Sequence, residues 1–209
     1  MIDYRVYLVT DDPSHYAGNW LDNVRAAVEG GVTCVQYRDT ESDEKAQYAR
    51  IRALRDAIGK VPIVVNNNAA LAKAVTAEGV HVGQRDMSPA EVRAIVGARC
   101  EIGLSITAVE QVAAIDRRVV DAIGIGPVYD ARKTKADAAA AMGPEGLREI
   151  VARIPDIANC AIGGITLANG AEVMAAGAKG LAVVSAFSKS EDPYAVARQF
   201  SLLFDHCGQ

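Results

Sequence analysis

Eight short runs rich in β-branched residues recur along the 209-residue chain, and each gives way to a stretch of helical character before the next begins. The runs are Arg5–Thr10, Thr33–Arg38, Ile63–Asn66, Gly79–Gly83, Glu101–Ser105, Ala122–Gly126, Cys160–Gly163 and Gly180–Ser185. Strands that always hand over to a helix are read as parallel, because parallel neighbours need a crossover while antiparallel ones are joined by tight turns. Eight such units in so short a chain leave little room for insertions. The expectation is one α/β domain spanning residues 1–209, a compact (β/α)8 TIM barrel at the lower end of its size range. The rival, an open doubly wound sheet, often carries a glycine-rich turn after its first strand. Here Thr10-Asp11-Asp12-Pro13 follows, with no glycine before Gly18.

Start and stop signals bracket the helices. Ser88-Pro89-Ala90-Glu91 has a cap, a proline at the first helical position and a glutamate three residues on, which is a capping box. Thr107-Ala108-Val109-Glu110 repeats that spacing without the proline and predicts another helix start. Ile51, Leu54 and Ile58 share one face of the second helix, with Gly59 as its stop; Gly30 and Gly177 read as similar stops. Asp192-Pro193 opens a last helix that puts Val196, Phe200 and Leu203 on one side.

A net charge of −4 gives no support to a nucleic-acid partner, so an anionic ligand needs a local cluster of cations. No stretch approaches the ~20 apolar residues of a membrane span, and Met1-Ile2-Asp3-Tyr4-Arg5 lacks the layout of a signal peptide. Cys34, Cys100, Cys160 and Cys207 show no C-x-x-C spacing, which points to a reducing cytoplasm.

Barrel chemistry gathers on the loops after the strands. Alternation sends Gln36 and Arg38 to one side and Tyr37 to the other. Arg38 then offers a planar fork for phosphate, or else pairs with Asp39 or Glu41. Of Asn66-Asn67-Asn68, one caps the next helix and the others face the mouth; Asp86 offers Mg²⁺ a hard oxygen, or sits near the N-terminus of the helix after it. His81 reads as a packed, hydrogen-bonded histidine. The longest loop, Pro127 to Gly143, carries Arg132-Lys133-Thr134-Lys135, the local positive charge that the total lacks. Gly163-Gly164 and Val184-Ser185 end the last two runs, where barrels often bind phosphate through backbone N–H groups. Two anion sites are therefore expected.

These residues resemble a known family. Val35-Gln36-Tyr37-Arg38, the run from Gly79 to Met87, Gly124 to Tyr129, Thr134-Lys135, Ala161 to Ile165 and Val183 to Ala186 are similar, in order and over nearly the whole chain, to thiamine-phosphate synthases. The resemblance implies a transferase that joins a pyrimidine methyl diphosphate to a thiazole phosphate with loss of pyrophosphate. It assigns Gln36, Arg38, Asn66, Ser105 and Lys135 to the pyrimidine diphosphate, with Thr40 beside them, and marks Arg38, Lys135 and Ser105 as catalytic. It assigns Arg132, Lys133, Thr134, Gly164, Val184 and Ser185 to the thiazole phosphate, and Asn67 and Asp86 to Mg²⁺. Thr40 stands where the family usually has lysine, Asn67 where it usually has aspartate, and the loop at 130–133 is one residue longer than usual. Arg132 and Lys133 can return the charge missing at Thr40.

Such a reaction needs charge stabilisation and positioning more than a protein nucleophile, in keeping with a sequence in which no Ser-His pair, Cys-His pair or carboxylate dyad stands out. A related thiazole tautomerase relies on a histidine two residues after the fifth-strand serine, where this chain has Thr107. A non-catalytic phosphate-binding barrel fits poorly with the presence of Arg38, Asp86, Lys135 and Ser185 together. A phosphosugar isomerase would need a positioned acid/base pair, and none stands out. The partners implied are phosphorylated small molecules; homo-oligomer formation and a link to a pyrimidine kinase are left open by the sequence.

Overall fold

The computed structural model describes residues 1–132 and 139–206. All eight expected strands form: β1 (Val6–Val9), β2 (Cys34–Tyr37), β3 (Ile63–Asn66), β4 (Gly79–Val82), β5 (Glu101–Ile106), β6 (Ala122–Ile125), β7 (Ala158–Ile162) and β8 (Leu181–Val183). They pair in sequence order, all parallel, and β1 closes on β8 with Tyr7 opposite Ala182. Closure removes both sheet edges and buries each strand on two sides, which is why the runs read as continuous apolar stretches instead of alternating ones.

Around the barrel lie α1 (Trp20–Gly30), α2 (Glu44–Ile58), α3 (Ala69–Ala74), α4 (Pro89–Val96), α5 (Gly143–Arg153), α6 (Gly170–Ala175), α7 (Ser185–Ser188) and α8 (Pro193–His206). No helix among the described residues is long and apolar enough to cross a membrane. The Ser88 capping box is present in full, Asp43 caps α2, and Asn68 is the member of the Asn triplet that caps α3. Ile51, Leu54 and Ile58 are buried as their spacing predicts. Two expectations shift. The stop after α1 is Gly31, in the left-handed region at φ +122°, because Gly30 is needed where a Cβ would meet the Tyr194 carbonyl at 2.4 Å. The box at Thr107 closes on Gln111, not Glu110: the Gln111 Oε1 accepts from Thr107 N at 2.8 Å, and the segment that follows is a 3₁₀ helix, Val109–Ala114.

Side chains alternate between two cores. Leu8, Val35, Val65, Val80, Ile102 and Ile123 point outward into the layer shared with the helices. Tyr7, Val9, Cys34, Val64, Ala122, Cys160 and Ala182 point inward, above Ile2 and Tyr4. Glu101 closes the lower end, accepting from Ile2 N at 2.6 Å and from the Tyr4 hydroxyl at 3.2 Å. The inward layers are uneven in size. Tyr7 fills one side, while Gly103 and Gly124 on β5 and β6 leave a gap that the His81 ring occupies. A Cβ on Gly103 would stand 2.4 Å from His81 Nδ1, and one on Gly124 3.0 Å from Cε1. Unfilled space above this layer, at the carboxyl ends of the strands, is the cavity described next.

Candidate active site

A cavity of about 190 Å³ opens at the carboxyl ends of the strands. Of the residues expected there, Gln36, Arg38, Asn66, Ser105, Gly164, Val184 and Ser185 all line it. They come from β2, β3, β5, β7 and β8 or the turns just after them, so only the closed barrel brings them together.

The alternation at β2 is realised. Tyr37 lies in the outer layer against Trp20, with ring centroids 6.5 Å apart, while Gln36 and Arg38 face the cavity. Arg38 is fixed through its backbone: its N–H donates to Thr10 Oγ1 at 2.8 Å, and that hydroxyl returns a bond to the Arg38 carbonyl at 3.1 Å. Its guanidinium takes no partner among the described residues. The expected competitor, Asp39, is held elsewhere by Arg50 at 2.6 Å and by the Tyr37 hydroxyl at 2.7 Å. Burial alone would raise the Asp39 pKa, but hydrogen bonds from Tyr37, the N–H groups of Ser42 and Glu41, and Arg50 hold it down to about 2. A five-donor cation at a cavity wall, relieved of its nearest acid, is a site for an anion.

On the opposite wall Ser105 Oγ lies 2.9 Å from His81 Nε2, and the Ser105 carbonyl accepts from Gln84 at 2.7 Å. His81 is packed and hydrogen-bonded as expected. It also supplies the Ser-His pair that did not stand out in the sequence, because the partners lie 24 residues apart and meet only across β4 and β5. Among the described residues the cysteines Cys34, Cys100 and Cys160 are buried, and burial lifts the Cys160 thiol to about 12.

The third wall is built from loops six and seven. Past the strands, Val128 N donates to Ile162 O at 2.9 Å and Tyr129 N to Gly163 O at 3.0 Å, so the β6–β7 pairing continues upward. Gly163 and Gly164 are both left-handed, at φ +97° and +65°. A Cβ on Gly164 would also strike Tyr129 Cβ at 2.7 Å. The N–H groups of Gly164 and Ile165 donate to no carbonyl among the described residues, leaving two donors beside Ser185 at the start of α7. At the other end of α7, Ser188 Oγ donates to the buried Asp11 carboxylate at 3.3 Å, which also takes His15 Nδ1 at 3.0 Å. That contact ties the β8 loop to β1, a role not visible in a turn-like Asp-Asp-Pro.

Other expected residues stand apart from the cavity. Thr40 is exposed in a neighbouring groove that shares Arg38, and its hydroxyl bonds Glu41 at 3.3 Å. Arg132 is exposed and engaged with Asp130 at 2.7 Å, while Ala131 next to it lines the cavity. Lys133, Thr134 and Lys135 lie outside the described residues. Asn67 and Asp86 are exposed at the ends of the paired strands β3 and β4, where Asn67 N donates to His81 O at 2.8 Å. Asn67 is left-handed at φ +61°, a conformation asparagine and aspartate tolerate better than most residues. Asp86 Oδ2 accepts from Gly83 N at 2.7 Å, and its second oxygen takes no hydrogen bond among the described residues. One carboxylate and one amide oxygen suit Mg²⁺, which keeps waters and phosphate oxygens as its other ligands. Among the described residues no group of three or more His, Cys, Asp or Glu side chains converges as a soft-metal cage would need.

The unread members of the site are Tyr7, Thr107 and His81. A tyrosine inside an apolar run reads as core, so only the side-chain hydrogen bond between Gln36 Nε2 and its hydroxyl, made once β1 and β2 are paired, reveals it.

A closed eight-strand barrel whose mouth gathers Arg38, the Gly163-Gly164 turn and Ser185 is the frame of a barrel enzyme that works on phosphorylated small molecules. Residues 6–187 match the family model of thiamine monophosphate synthase, and the chain belongs to that family. It is 40% identical to the thiamine-phosphate synthase of Albidiferax ferrireducens, over 96% of this chain and 92% of that one. The thiamine-phosphate synthase of Chloroflexus aurantiacus is also 40% identical, over 97% and 94%. Among solved structures, the thiamine phosphate pyrophosphorylase of Pyrococcus furiosus superimposes with a TM-score of 0.87 at 27% identity, covering 99% of this chain and 98% of that one.

Proposed function

We propose that this chain joins 4-amino-2-methyl-5-(diphosphooxymethyl)pyrimidine to 4-methyl-5-(2-phosphooxyethyl)thiazole, forming thiamine phosphate and releasing pyrophosphate. The observation that supports this reading is the Arg38 guanidinium, which takes no partner among the described residues and lines the same cavity as Gly164 and Ser185, so that one mouth carries a cation from β2 and a glycine-rich turn with a serine from β7 and β8. In the reaction the bond between the pyrimidine methylene and the diphosphate oxygen breaks, and its electron pair leaves with pyrophosphate. The aminopyrimidine ring disperses the positive charge left on carbon. The thiazole nitrogen then donates its lone pair to form the new C–N bond. Arg38 and Lys135 meet the charge that grows on the leaving group, and Asn66 holds the diphosphate. Ser105, oriented by His81, and Gln36 hold the pyrimidine ring through its polar edge. Gly164, Val184 and Ser185, with Thr134, Arg132 and Lys133 from the long loop, seat the thiazole phosphate. Mg²⁺, held by Asp86 and Asn67, would neutralise diphosphate charge.

Incubation with both substrates and Mg²⁺ should yield thiamine phosphate and pyrophosphate in equal amounts; absence of both products overturns the reading. Lys135→Ala should lower kcat by about 10²-fold, the size typical of one transition-state donor. The thiazole subsite has its own test. Ser185→Ala should raise KM for the thiazole phosphate about tenfold and leave that for the pyrimidine diphosphate within about twofold. Gly164→Val should raise both, since a side chain there pushes Tyr129 and the loop after it. Equal KM increases in Ser185→Ala would dissolve the two-subsite assignment.

A further inference from the structure

The single turn of α7 begins at Ser185 on the cavity wall and ends at Ser188, which is fully buried. A helix of four residues does not fix its own orientation, so what grips its ends decides it. One end is tied to β8. The other is gripped from across the barrel closure, by the loop after β1 and by α1. Ala17 N donates to the Ser188 carbonyl at 3.2 Å, and the side-chain amide of the buried Asn23 donates to the Phe187 carbonyl at 3.2 Å. A carbonyl only accepts, so Asn23 must face it with nitrogen, and its own oxygen is left buried without a partner among the described residues. The third grip is the bond from Ser188 Oγ to Asp11 Oδ2 at 3.3 Å, between residues 177 apart in sequence. It is long, but hydroxyl and carboxylate are both buried, so neither can exchange it for water. Asp11 is itself held in place. Its N–H donates to the Tyr16 hydroxyl at 3.2 Å, and its Oδ1 accepts from Asp12 N and His15 Nδ1, each at 3.0 Å, which leaves Oδ2 for Ser188. Asp11 lines the neighbouring groove and not the active-site cavity, so any influence on a ligand there has to pass through α7. We infer that Asp11 is a positioning residue for the phosphate end of the thiazole substrate: by anchoring Ser188 it sets the rotation of α7 and thereby the direction of the Ser185 hydroxyl. Without the anchor the turn pivots on Val184, and Ser185 leaves the window of about 10–20° within which a binding group works.

This inference rests on the thiazole-phosphate reading above, and its test can fail separately. Ser188→Ala is the main variant, because it cuts the anchor while leaving Asp11, Thr10 and the Arg38 backbone as they are. It should raise KM for the thiazole phosphate about fivefold and hold kcat and KM for the pyrimidine diphosphate within about twofold. Calorimetric titration of 4-methyl-5-(2-phosphooxyethyl)thiazole into the intact protein should show the same weakening, and thermal melting reports whether the variant folds. Asp11→Asn keeps the bridge, because a serine hydroxyl accepts from an amide nitrogen as well as it donates to an oxygen, and should bind the thiazole phosphate within about twofold of wild type. Asp11→Ala should weaken it at least as much as Ser188→Ala does. The decisive comparison is made in a Ser185→Ala background, where the hydroxyl to be positioned is gone: adding Ser188→Ala there should cost less than about twofold more. Effects that multiply in the double variant mark a contact that serves the fold alone, and overturn the inference. So does a folded Ser188→Ala variant with unchanged KM for the thiazole phosphate, or with equal rises in both KM values. A wild type that neither makes thiamine phosphate nor binds the thiazole phosphate strikes the reading beneath, and the inference with it.

Discussion

Arg38→Ala is expected to lower kcat/KM for the pyrimidine diphosphate by about 10³-fold while leaving the melting temperature almost unchanged, since a charged bidentate contact to a leaving phosphate is among the strongest single contributions a side chain makes. The separation of the two effects follows from the local bonding. Only the backbone of Arg38 is tied into the barrel, through Thr10, and the guanidinium makes no bond among the described residues that the folded state would lose. Asp39 keeps its own cation in Arg50 and is not orphaned by the change. Arg38→Lys should recover only part of the loss, because an ammonium supplies charge but not the planar fork. Steady-state kinetics at saturating thiazole phosphate, paired with thermal melting, decides the matter. A folded Arg38→Ala variant within about tenfold of wild type removes Arg38 from the leaving-group site.

The barrel itself was legible because its physics is repetitive. A parallel strand covered on both faces must be apolar throughout, and that shows as β-branched runs whose starts and ends the structure moves by only a residue or two. The β2 wall was legible for the same reason: alternation alone places Gln36 and Arg38 together. What stayed hidden depends on contacts between strands. Tyr7 is chemically ambiguous until β1 and β2 are in register, Val9 opposite Gln36, and the phenol meets the amide. His81 finds Ser105 only because Gly103 and Gly124, otherwise unremarkable glycines in two apolar runs, leave its ring somewhere to sit. Asp11 looks like a turn former, yet it is buried and holds the far end of α7. The capping expectation at Thr107 failed because Gln111 bonds back to Thr107 and tightens the segment into a 3₁₀ helix, an outcome decided by which side chain reaches the orphan N–H groups.

The metal site should show an unusual dependence on substrate. Mg²⁺ would rest here on one carboxylate, Asp86, and on the amide of Asn67, so the free protein brings a single negative charge to a divalent ion, and both residues are exposed. Binding to the protein alone is therefore expected to be weak, with most of the affinity supplied by the diphosphate oxygens and strong mutual coupling between metal and substrate. Asn67→Asp adds the second charge. Aspartate is also among the residues that tolerate the left-handed backbone at φ +61°, so this change should tighten Mg²⁺ binding to the free protein by about tenfold or more with little cost in stability. Asp86→Ala should abolish nearly all turnover, but it also strips Gly83 N of its acceptor at 2.7 Å. Asp86→Asn separates the two effects, because the amide oxygen still accepts from Gly83 while the charge is gone. It should melt like wild type and still lose most of its activity. Calorimetric titration of Mg²⁺, with and without an unreactive diphosphate analogue, measures the coupling directly. Tight Mg²⁺ binding by the unliganded protein, or full activity of Asp86→Asn in the presence of a chelator, would falsify this account of the metal.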